Sequence, residues 1–285
     1  MSYLRHIKQC NNAQLEHFIP FYIDHYQVGF VRPAFITLLL KHTDYFILEK
    51  ETFKLKEDIQ GFQDRTAVFT QLIQQFIEQK LIKQFYNEPY PICAKGVVEP
   101  LCCIDRFSAS YFGIRAFGQH LNGIVKTDKG VDLWIAKRAK DRVLFPQKLD
   151  NMVAGGLPYG KTPLQNLIKE GFEEAGMSAA LCKKAHAVSV ITYNAETEKG
   201  FRPDVLYCYD ILLADDFVPK CTDGEVEAFY RLPVEEVMRL IKETDDFKLN
   251  CNLVITDFLI RWGYIEPQDP DYVEIITQLH PPLVV

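Results

Sequence analysis

The chain has 285 residues, of which 48% are hydrophobic, and a formal net charge of −6. This length allows one large or two modest domains with a sizeable core, and it contains no apolar run of the roughly 18 residues that a membrane span needs. The negative charge argues against nucleic acid as the main partner, because a phosphate backbone calls for a basic surface.

Residues 1–105 are predicted to form a small α-rich accessory domain. Arg32 and Pro33 precede an apolar helix candidate at 34–40. Thr66 is predicted to cap an amphipathic helix that runs to about residue 82, because apolar side chains recur there every three or four positions. The three prolines of 87–100 indicate a connector to the next domain.

The remaining chain is predicted to form a larger domain at 106–265, followed by a short helix and tail at 266–285. Strands followed by one helix, further strands and then helices favour an α+β sandwich over a doubly wound sheet. The predicted strands are 111–125, 131–138, 187–193, 205–213 and 226–232, and the predicted late helices are 233–241 and 252–262.

The helix between the second and third of these strands has clear start and stop signals. Thr162 is a good N-cap, and Pro163 suits the first helical position, where its missing N–H costs nothing. Gly176 is placed to end the helix in the left-handed conformation.

This helix carries Glu170, Glu173 and Glu174 at positions i, i+3 and i+4. The three side chains fall within an arc of roughly 100°, so their charges repel one another unless a cation lies among them. Oxygen ligands suit Mg²⁺ or Mn²⁺, and we expect such ions, rather than protein cations, to neutralise the cluster. A solvated acidic face is the alternative, but the glycine-rich turn at 155–160 directly upstream favours a metal and phosphate site.

A competing motif overlaps the same segment. Residues 155–162 match G-x-x-x-x-G-K-[ST], the phosphate-binding loop of nucleotide triphosphatases. Such a loop normally opens a domain of alternating strands and helices, whereas two consecutive strands are predicted to follow this helix. That interpretation also leaves the three glutamates without a role, and we reject it.

The segment resembles the Nudix hydrolases, whose signature is G-x5-E-x7-R-E-U-x-E-E-x-G-U with U a bulky aliphatic residue. Counting from Gly155 reproduces this spacing through Met177. The resemblance implies a Nudix α/β/α sandwich with a mixed sheet, and it implies that the matching glutamates Glu170, Glu173 and Glu174 hold Mg²⁺ or Mn²⁺. The chain departs from the signature at Lys161, Lys169 and Gly171.

Further segments, including 117–123, 133–138, 149–156, 223–227 and 257–261, resemble one Nudix subfamily with an N-terminal domain of unknown function. Some members of this subfamily are related to thiamine pyrophosphokinase proteins and act as diphosphatases on thiamine diphosphate and its oxidised analogues. The resemblance implies a metal-dependent hydrolase that cleaves a small organic diphosphate to a monophosphate.

In this hypothesis Glu173 and Glu174 are catalytic through the metal, which activates water and neutralises charge on the leaving phosphate. Glu225, after the turn signal Asp223-Gly224, is a further ligand or the general base, with a solvated acidic turn as the alternative. The remaining candidates bind substrate: the backbone of Gly155 and Gly156, the cations Lys137 and Arg138, and the ring of Trp134. Side chains with a weaker case for contacting substrate are Phe117, His120, Asn122, Tyr159 and Tyr193.

The eight cysteines lack C-x-x-C spacing and the first residues lack the apolar core of a secretion signal, so reduced thiols and a cytoplasmic location are expected. Two roles stay open for the N-terminal region: a lid over the site, or formation of a homodimer. Two alternative functions also stay open. Lys161 and Lys169 motivate a catalytically weak binding or regulatory module, and the same fold admits a metal-dependent isomerase.

Overall fold

The computed structural model describes residues 2–83, 86–97 and 99–285, so Val98 of the predicted connector lies outside the described residues. The N-terminal part begins with one helix and continues as a sheet flanked by two more. Its elements are α1 (Leu4–Cys10), β1 (Ile19–Ile23), β2 (Tyr26–Val31), α2 (Pro33–His42), β3 (Phe46–Glu49), β4 (Thr52–Leu55), α3 (Phe62–Glu78), β5 (Pro89–Ile92) and β6 (Cys102–Asp105).

Strands β1 to β4 form a four-stranded sheet in the order β2-β1-β4-β3. The predicted helices are present, but this sheet makes the region mixed rather than α-rich, which corrects the prediction. Strands of four to six residues contain too few repeats for an alternating pattern to stand out from the sequence. Phenylalanine rings fill the core between the sheet and the helices, among them Phe21, Phe53, Phe69 and Phe112.

Helix α3 begins at Phe62, four residues before the predicted start. Thr66 lies inside it, where its hydroxyl donates to the Phe62 carbonyl at 2.7 Å and accepts from the Cys103 amide at 3.0 Å, so its predicted role as a cap is wrong. The predicted connector also contains structure, because β5 pairs with β6.

The C-terminal part contains twelve helices and strands. Nine of them follow the predicted order, and three, β9, β10 and α5, were not predicted. The elements are β7 (Ala116–Thr127), β8 (Gly130–Arg138), β9 (Leu149–Asn151), β10 (Val153–Gly156), α4 (Pro163–Ala175), α5 (Ala179–Cys182), β11 (His186–Glu196), β12 (Phe201–Leu212), β13 (Val226–Pro233), α6 (Val234–Glu243), α7 (Leu249–Arg261) and α8 (Tyr272–Leu279).

Seven strands form one sheet in the order β11-β12-β7-β8-β13, with β10 added to β7 and β9 added to β8. Strands β7 and β12 are parallel and the other pairs are antiparallel, so the predicted mixed sheet is confirmed. Helix α4 packs on one face through Leu167, and helices α6, α7 and α8 pack on the other. The arrangement is the predicted α/β/α sandwich.

Helix α1 packs in the C-terminal core although it lies in the predicted N-terminal domain. Its residues Leu4, Ile7 and Cys10 share a cluster with α7 and α8. Conversely, Phe112 and Ile114, which lie beyond residue 105, belong to the N-terminal core. Each core therefore contains residues from the other side of the expected domain boundary at 105. The boundary itself stays a prediction.

The eight cysteines are free, and six of them are buried. Within the described ranges, every helix falls short of the length and hydrophobicity that crossing a bilayer demands.

Candidate functional site

Helix α4 begins and ends where its sequence predicts. The Thr162 hydroxyl accepts from the Gln165 amide at 3.2 Å, and the Gln165 side chain accepts from the Thr162 amide at 2.9 Å, which completes a capping box. Pro163 is the first helical residue, and Gly176 ends the helix in the left-handed region with φ 66°. These two ends set the length of the helix that carries the glutamates.

Two glycines at the end of β10 let this helix approach the sheet. A Cβ at Gly155 would lie 2.6 Å from Cδ of Glu170, so only glycine leaves room for that carboxylate. The carbonyl of Gly156 accepts from Nδ2 of the fully buried Asn166 at 2.8 Å. The structure thus shows that Gly155 makes room for Glu170, whereas the predicted binding of substrate by the backbone of this turn stays a prediction.

Lys169 pairs with two of the three glutamates. Its Nζ lies 3.0 Å from Oε1 of Glu170 and 2.6 Å from Oε2 of Glu173. The expectation that only bound ions neutralise the cluster is therefore wrong for these two residues, because a protein cation lies between them. The Lys169 side chain is 39% exposed, so water can solvate its ammonium group if the carboxylates take another partner.

Glu174 differs from its two neighbours. It is 6% exposed, and Oε2 accepts from the Ala154 amide at 2.8 Å. Burial raises the pKa of this carboxyl well above its ordinary value, and the charges of Asp150, Glu170 and Glu225 raise it further. No salt bridge to Glu174 occurs among the residues that the structure describes, so its charge is the one that a bound cation would relieve most.

Glu225 lies in the turn before β13, and its charge contributes to the raised pKa of Glu174. Its Oε1 lies 2.6 Å from Nη1 of Arg142, and its side chain is 38% exposed. Sequence reasoning missed Arg142 because the loop between β8 and β9 carries no motif. Glu227, which lies two residues further on in β13, pairs instead with Lys137 at 3.3 Å, so Lys137 already has an acidic partner.

The three guanidinium nitrogens of Arg138 all donate hydrogen bonds to other groups of the protein. Nη1 donates to Asp150 at 3.0 Å, Nε donates to the carbonyl of Phe145 at 3.1 Å, and Nη2 donates to that of Leu144 at 3.0 Å. These bonds hold the loop between β8 and β9 against the sheet. Binding of substrate by Arg138 and Lys137 stays a prediction, and it competes with the pairs that both side chains make here.

Trp134, whose ring was predicted to contact the substrate, lies in the core. Trp134 is 8% exposed and packs between the sheet and α4. His120 and Asn122 are also buried, and both hydrogen-bond to Asn151. Nδ1 of His120 lies 2.8 Å from Oδ1 of Asn151, and Nδ2 of Asn151 donates to Oδ1 of Asn122 at 2.9 Å. Their hydrogen bonds serve the protein's own side chains, which is the structural role that the sequence left open for them.

His120, Asp150 and Cys251 have ligand atoms that all lie within 4.8 Å of one another, unlike the three glutamates in the described chain. Asp150, however, already pairs with Arg138 at 3.0 Å and with Lys248 at 3.2 Å. Burial raises the pKa of the Cys251 thiol well above its ordinary value, and burial lowers the pKa of His120 to about 4. Two adjacent cations and a protonated thiol disfavour a metal at this trio.

The chemistry of the α4 cluster fits a hard divalent ion better. Its donors are carboxylate oxygens, and the buried Glu174 feels the charges of three further acidic groups without a salt bridge of its own in the described part of the chain. Glu170, Glu173 and Glu174 are the residues that would hold such an ion, with Lys169 as the competing cation.

Comparison with known proteins gives matches along almost the whole chain. Residues 122–253 match the model of the NUDIX domain, and residues 2–116 match a domain of unknown function, DUF4743. Nudix hydrolase 20, chloroplastic, of Arabidopsis thaliana is 38% identical over 96% of this chain and 76% of that protein, and Nudix hydrolase 24, chloroplastic, of the same plant is 37% identical over 97% and 77%.

Among solved structures, the NUDIX domain of Shewanella oneidensis NrtR, complexed with ADP ribose, is similar to this chain with a TM-score of 0.43. It is 12% identical, and the match covers 53% of this chain and 90% of that one.

Proposed function

Because this chain belongs to the Nudix hydrolase family, we propose that it cleaves the diphosphate linkage of a small organic diphosphate and releases a monophosphate. Nudix enzymes generally hydrolyse such linkages with a divalent metal, and Mg²⁺ is the ion we propose here. Thiamine diphosphate and its oxidised analogues are the substrates we propose, on the resemblance of most of the chain's sequence to that subfamily.

The observation that carries the proposal is the environment of Glu174. A buried carboxylate under the influence of three other acidic groups is costly, and a bound divalent ion reduces that cost. When bound, the ion would supply an activated water and neutralise charge on the leaving phosphate. Glu170, Glu173 and Glu174 would hold it, and the Ala154 amide orients the carboxylate of Glu174.

Glu225 is the residue we propose as general base. Its charge contributes to the raised pKa of Glu174, and its side chain is accessible to water, as a base that takes a proton from water must be. Its pair with Arg142 lies at the surface, and such pairs contribute little to stability, so the carboxylate can exchange this partner at low cost.

The proposal is tested with magnesium and a panel of thiamine diphosphate, nucleoside diphosphate sugars and ADP-ribose, with product identification. We expect a monophosphate product, and we expect Glu173→Gln and Glu174→Gln to lower turnover by at least about 10–100-fold, the loss typical even of an outer-sphere contact to a metal. Glu235→Gln, an exposed glutamate on α6, is the matched control and should retain full turnover. Full activity in both cluster variants would refute the site.

A binding or regulatory module without turnover is the second candidate, and the contacts of Lys169 favour it. This side chain neutralises Glu170 and Glu173 without any ion. Binding of a diphosphate with no product formed by the wild-type chain, across the whole panel, would support the module over the hydrolase.

A further inference from the structure

The loop between β8 and β9 exposes three consecutive apolar side chains. Val143, Leu144 and Phe145, here called the loop tip, are 60%, 44% and 38% exposed. A run of three exposed apolar residues lowers solubility, and it is a fault in a surface loop unless the residues bind something. The loop tip is therefore a candidate contact surface.

Arg138 holds the loop tip in one position. Its Nη2 donates to the Leu144 carbonyl at 3.0 Å, and its Nε donates to the Phe145 carbonyl at 3.1 Å. Nη1 of the same guanidinium donates to the buried Asp150 at 3.0 Å, which ties the tip to the sheet. Phe145 has a φ of 52°, a left-handed conformation that an aromatic residue adopts only where its surroundings hold it. A backbone fixed in this way loses little entropy when a ligand packs on it.

The same loop is bonded to the candidate general base. Nη1 of Arg142 lies 2.6 Å from Oε1 of Glu225. The segment before Glu225 is bonded to α4, because the Thr222 amide donates to the Glu173 carbonyl at 2.8 Å. Val143 directly follows Arg142, so the loop tip begins one residue from a side chain that contacts Glu225. These contacts connect the loop tip to the residues that we propose for catalysis.

A cavity of about 650 Å³ opens beside the loop tip. The residues that line it include Phe145, Phe247 and Leu249, together with Lys148 of the same loop. Pockets that bind small molecules commonly enclose about 300–1,000 Å³ and are mostly apolar with a few polar groups. A ring that packs on the loop tip therefore has room there.

The charge of the loop suits an anionic ligand. Residues 139–148 contain three cations, Lys140, Arg142 and Lys148, and one acid, Asp141, so three minus one gives a formal charge of +2 in a chain of −6. Lys140 is exposed and makes no salt bridge with any residue that the structure describes. Apolar side chains next to positive charges match an anion that also carries an aromatic ring, as an organic diphosphate does.

A second copy of this chain is a poorer occupant of the loop tip. A stable protein–protein interface uses about 20–30 residues on each side, far more than the tip offers. Two copies that each carry a formal charge of −6 also repel one another. The tip therefore matches one small ring better than a protein surface.

We propose that Val143, Leu144 and Phe145 pack against the aromatic ring of the organic diphosphate, and that this contact selects the organic half of the substrate. The inference rests on the proposed function, in which the metal site and Glu225 act on the diphosphate half of the same molecule. The ring binds more tightly because the contact removes apolar surface of the tip from water. An inorganic phosphate, which has no ring, gains nothing from it.

The test is a calorimetric titration of the full chain, in magnesium, with thiamine monophosphate, adenosine monophosphate and inorganic phosphate. None of these ligands has a diphosphate bond, so they stay intact whether or not the chain is a hydrolase. We expect the wild type to bind at least one of the two ring-bearing ligands more tightly than phosphate. Val143→Ser and Phe145→Ser should each weaken binding of that ligand by about three- to tenfold and leave phosphate binding unchanged, because they remove apolar contact alone.

Val273→Ser on α8 is the matched control, since it makes the same change at a valine that is 73% exposed. It should bind every ligand as the wild type does. Thermal melts of the variants show that the fold survives these surface substitutions. Equal affinity of the wild type and both loop variants for the ring-bearing ligands overturns the inference, as does a wild type that binds neither of them better than phosphate.

Sedimentation of the wild type and Val143→Ser at equal concentration tests the other occupant. A monomer in both cases agrees with the inference. A wild-type dimer that the substitution dissociates would assign the loop tip to a second copy of the chain and overturn the inference.

Failure of the inference and failure of the proposed function give different results. Ring-dependent binding that the loop variants weaken, with no hydrolysis of any organic diphosphate, supports the contact surface and refutes the enzyme. Hydrolysis of an organic diphosphate, with unchanged affinity of the loop variants for the ring-bearing ligands, refutes the contact surface alone.

Discussion

At the scale of single residues, Lys169 and Glu174 show how one short helix segment holds its charges. Lys169 lies between Glu170 and Glu173 and is half exposed, whereas Glu174 is buried with a backbone amide as its partner. The spacing of the three glutamates places them on one side of the helix but does not predict which of them is buried. That difference depends on Ala154 and Gly155 of β10, a strand that the sequence did not reveal.

Glu174 predicts a dependence of stability on pH in the absence of metal. The folded-state pKa is raised, so the folded chain retains the proton at a pH where the unfolded chain has lost it. Wild-type stability is therefore lost as pH rises from the ordinary glutamate value through the raised one. Glu174→Gln escapes this loss, and in EDTA we expect it to unfold a few degrees above the wild type at pH 8, with a smaller difference at pH 5.

The measurement is a thermal melt at both pH values, with Glu235→Gln as the exposed control that should match the wild type. Added magnesium should stabilise the wild type more than Glu174→Gln, because a ligand stabilises the state to which it binds. A Glu174→Gln variant that melts below the wild type at pH 8 would mean that the carboxylate is already well compensated.

At the scale of elements, α4 was predictable to the residue, and β9 and β10 were not. The cap Thr162, the following Pro163 and the terminal Gly176 are local signals that act within one turn of the helix. Strands of three and four residues have no such signals, and β10 exists because β7 offers it a free edge. Thr66 was misassigned for a related reason, since a threonine inside a helix and one at its start look alike in sequence.

The fit of β5 against the turn makes a testable coupling between two elements. Gly156→Ala would bring a methyl group onto the Tyr90 hydroxyl, and overpacking of this kind typically costs about 1–3 kcal/mol. Tyr90→Phe removes that hydroxyl, so the double variant should recover part of the loss. Chemical denaturation of both single variants and the double variant measures the coupling. If the changes in the free energy of unfolding were additive, Gly156 and the Tyr90 hydroxyl would not be in steric contact.

At the scale of the whole molecule, the sequence predicted the sandwich and the family but not how the two parts join. The order of strands and helices determines the sandwich, whereas contacts between distant segments determine how the two parts join. Tyr159 of the glycine-rich turn bonds to Pro89, and α1 packs on α7, without any pattern that links those segments along the chain. Cross-domain parts of the site therefore had to be found in three dimensions.

The position of α1 predicts that the C-terminal core depends on the first residues of the chain. Ile7 is fully buried among residues of α7 and α8, so Ile7→Ala should destabilise the protein by about 2–4 kcal/mol through the cavity it leaves. Leu15→Ala, at a side chain that is 37% exposed, is the control and should have little effect. Urea unfolding followed by tryptophan fluorescence gives the midpoint, and Trp262, the residue after α7, packs against this core. An unchanged midpoint for Ile7→Ala would refute the dependence.

The packing of α1 against α7 and α8 also constrains how the protein folds during translation. Ser2 bonds to Asp271 and Asn11 bonds to the Gln278 carbonyl, so the opening helix has partners that are translated only near residue 280. At about 5–20 residues per second, Leu4 and Ile7 wait many seconds for those partners. During that interval the seven residues of α1 are too few to form a stable helix alone, so we expect α1 to fold only after α8 has been translated.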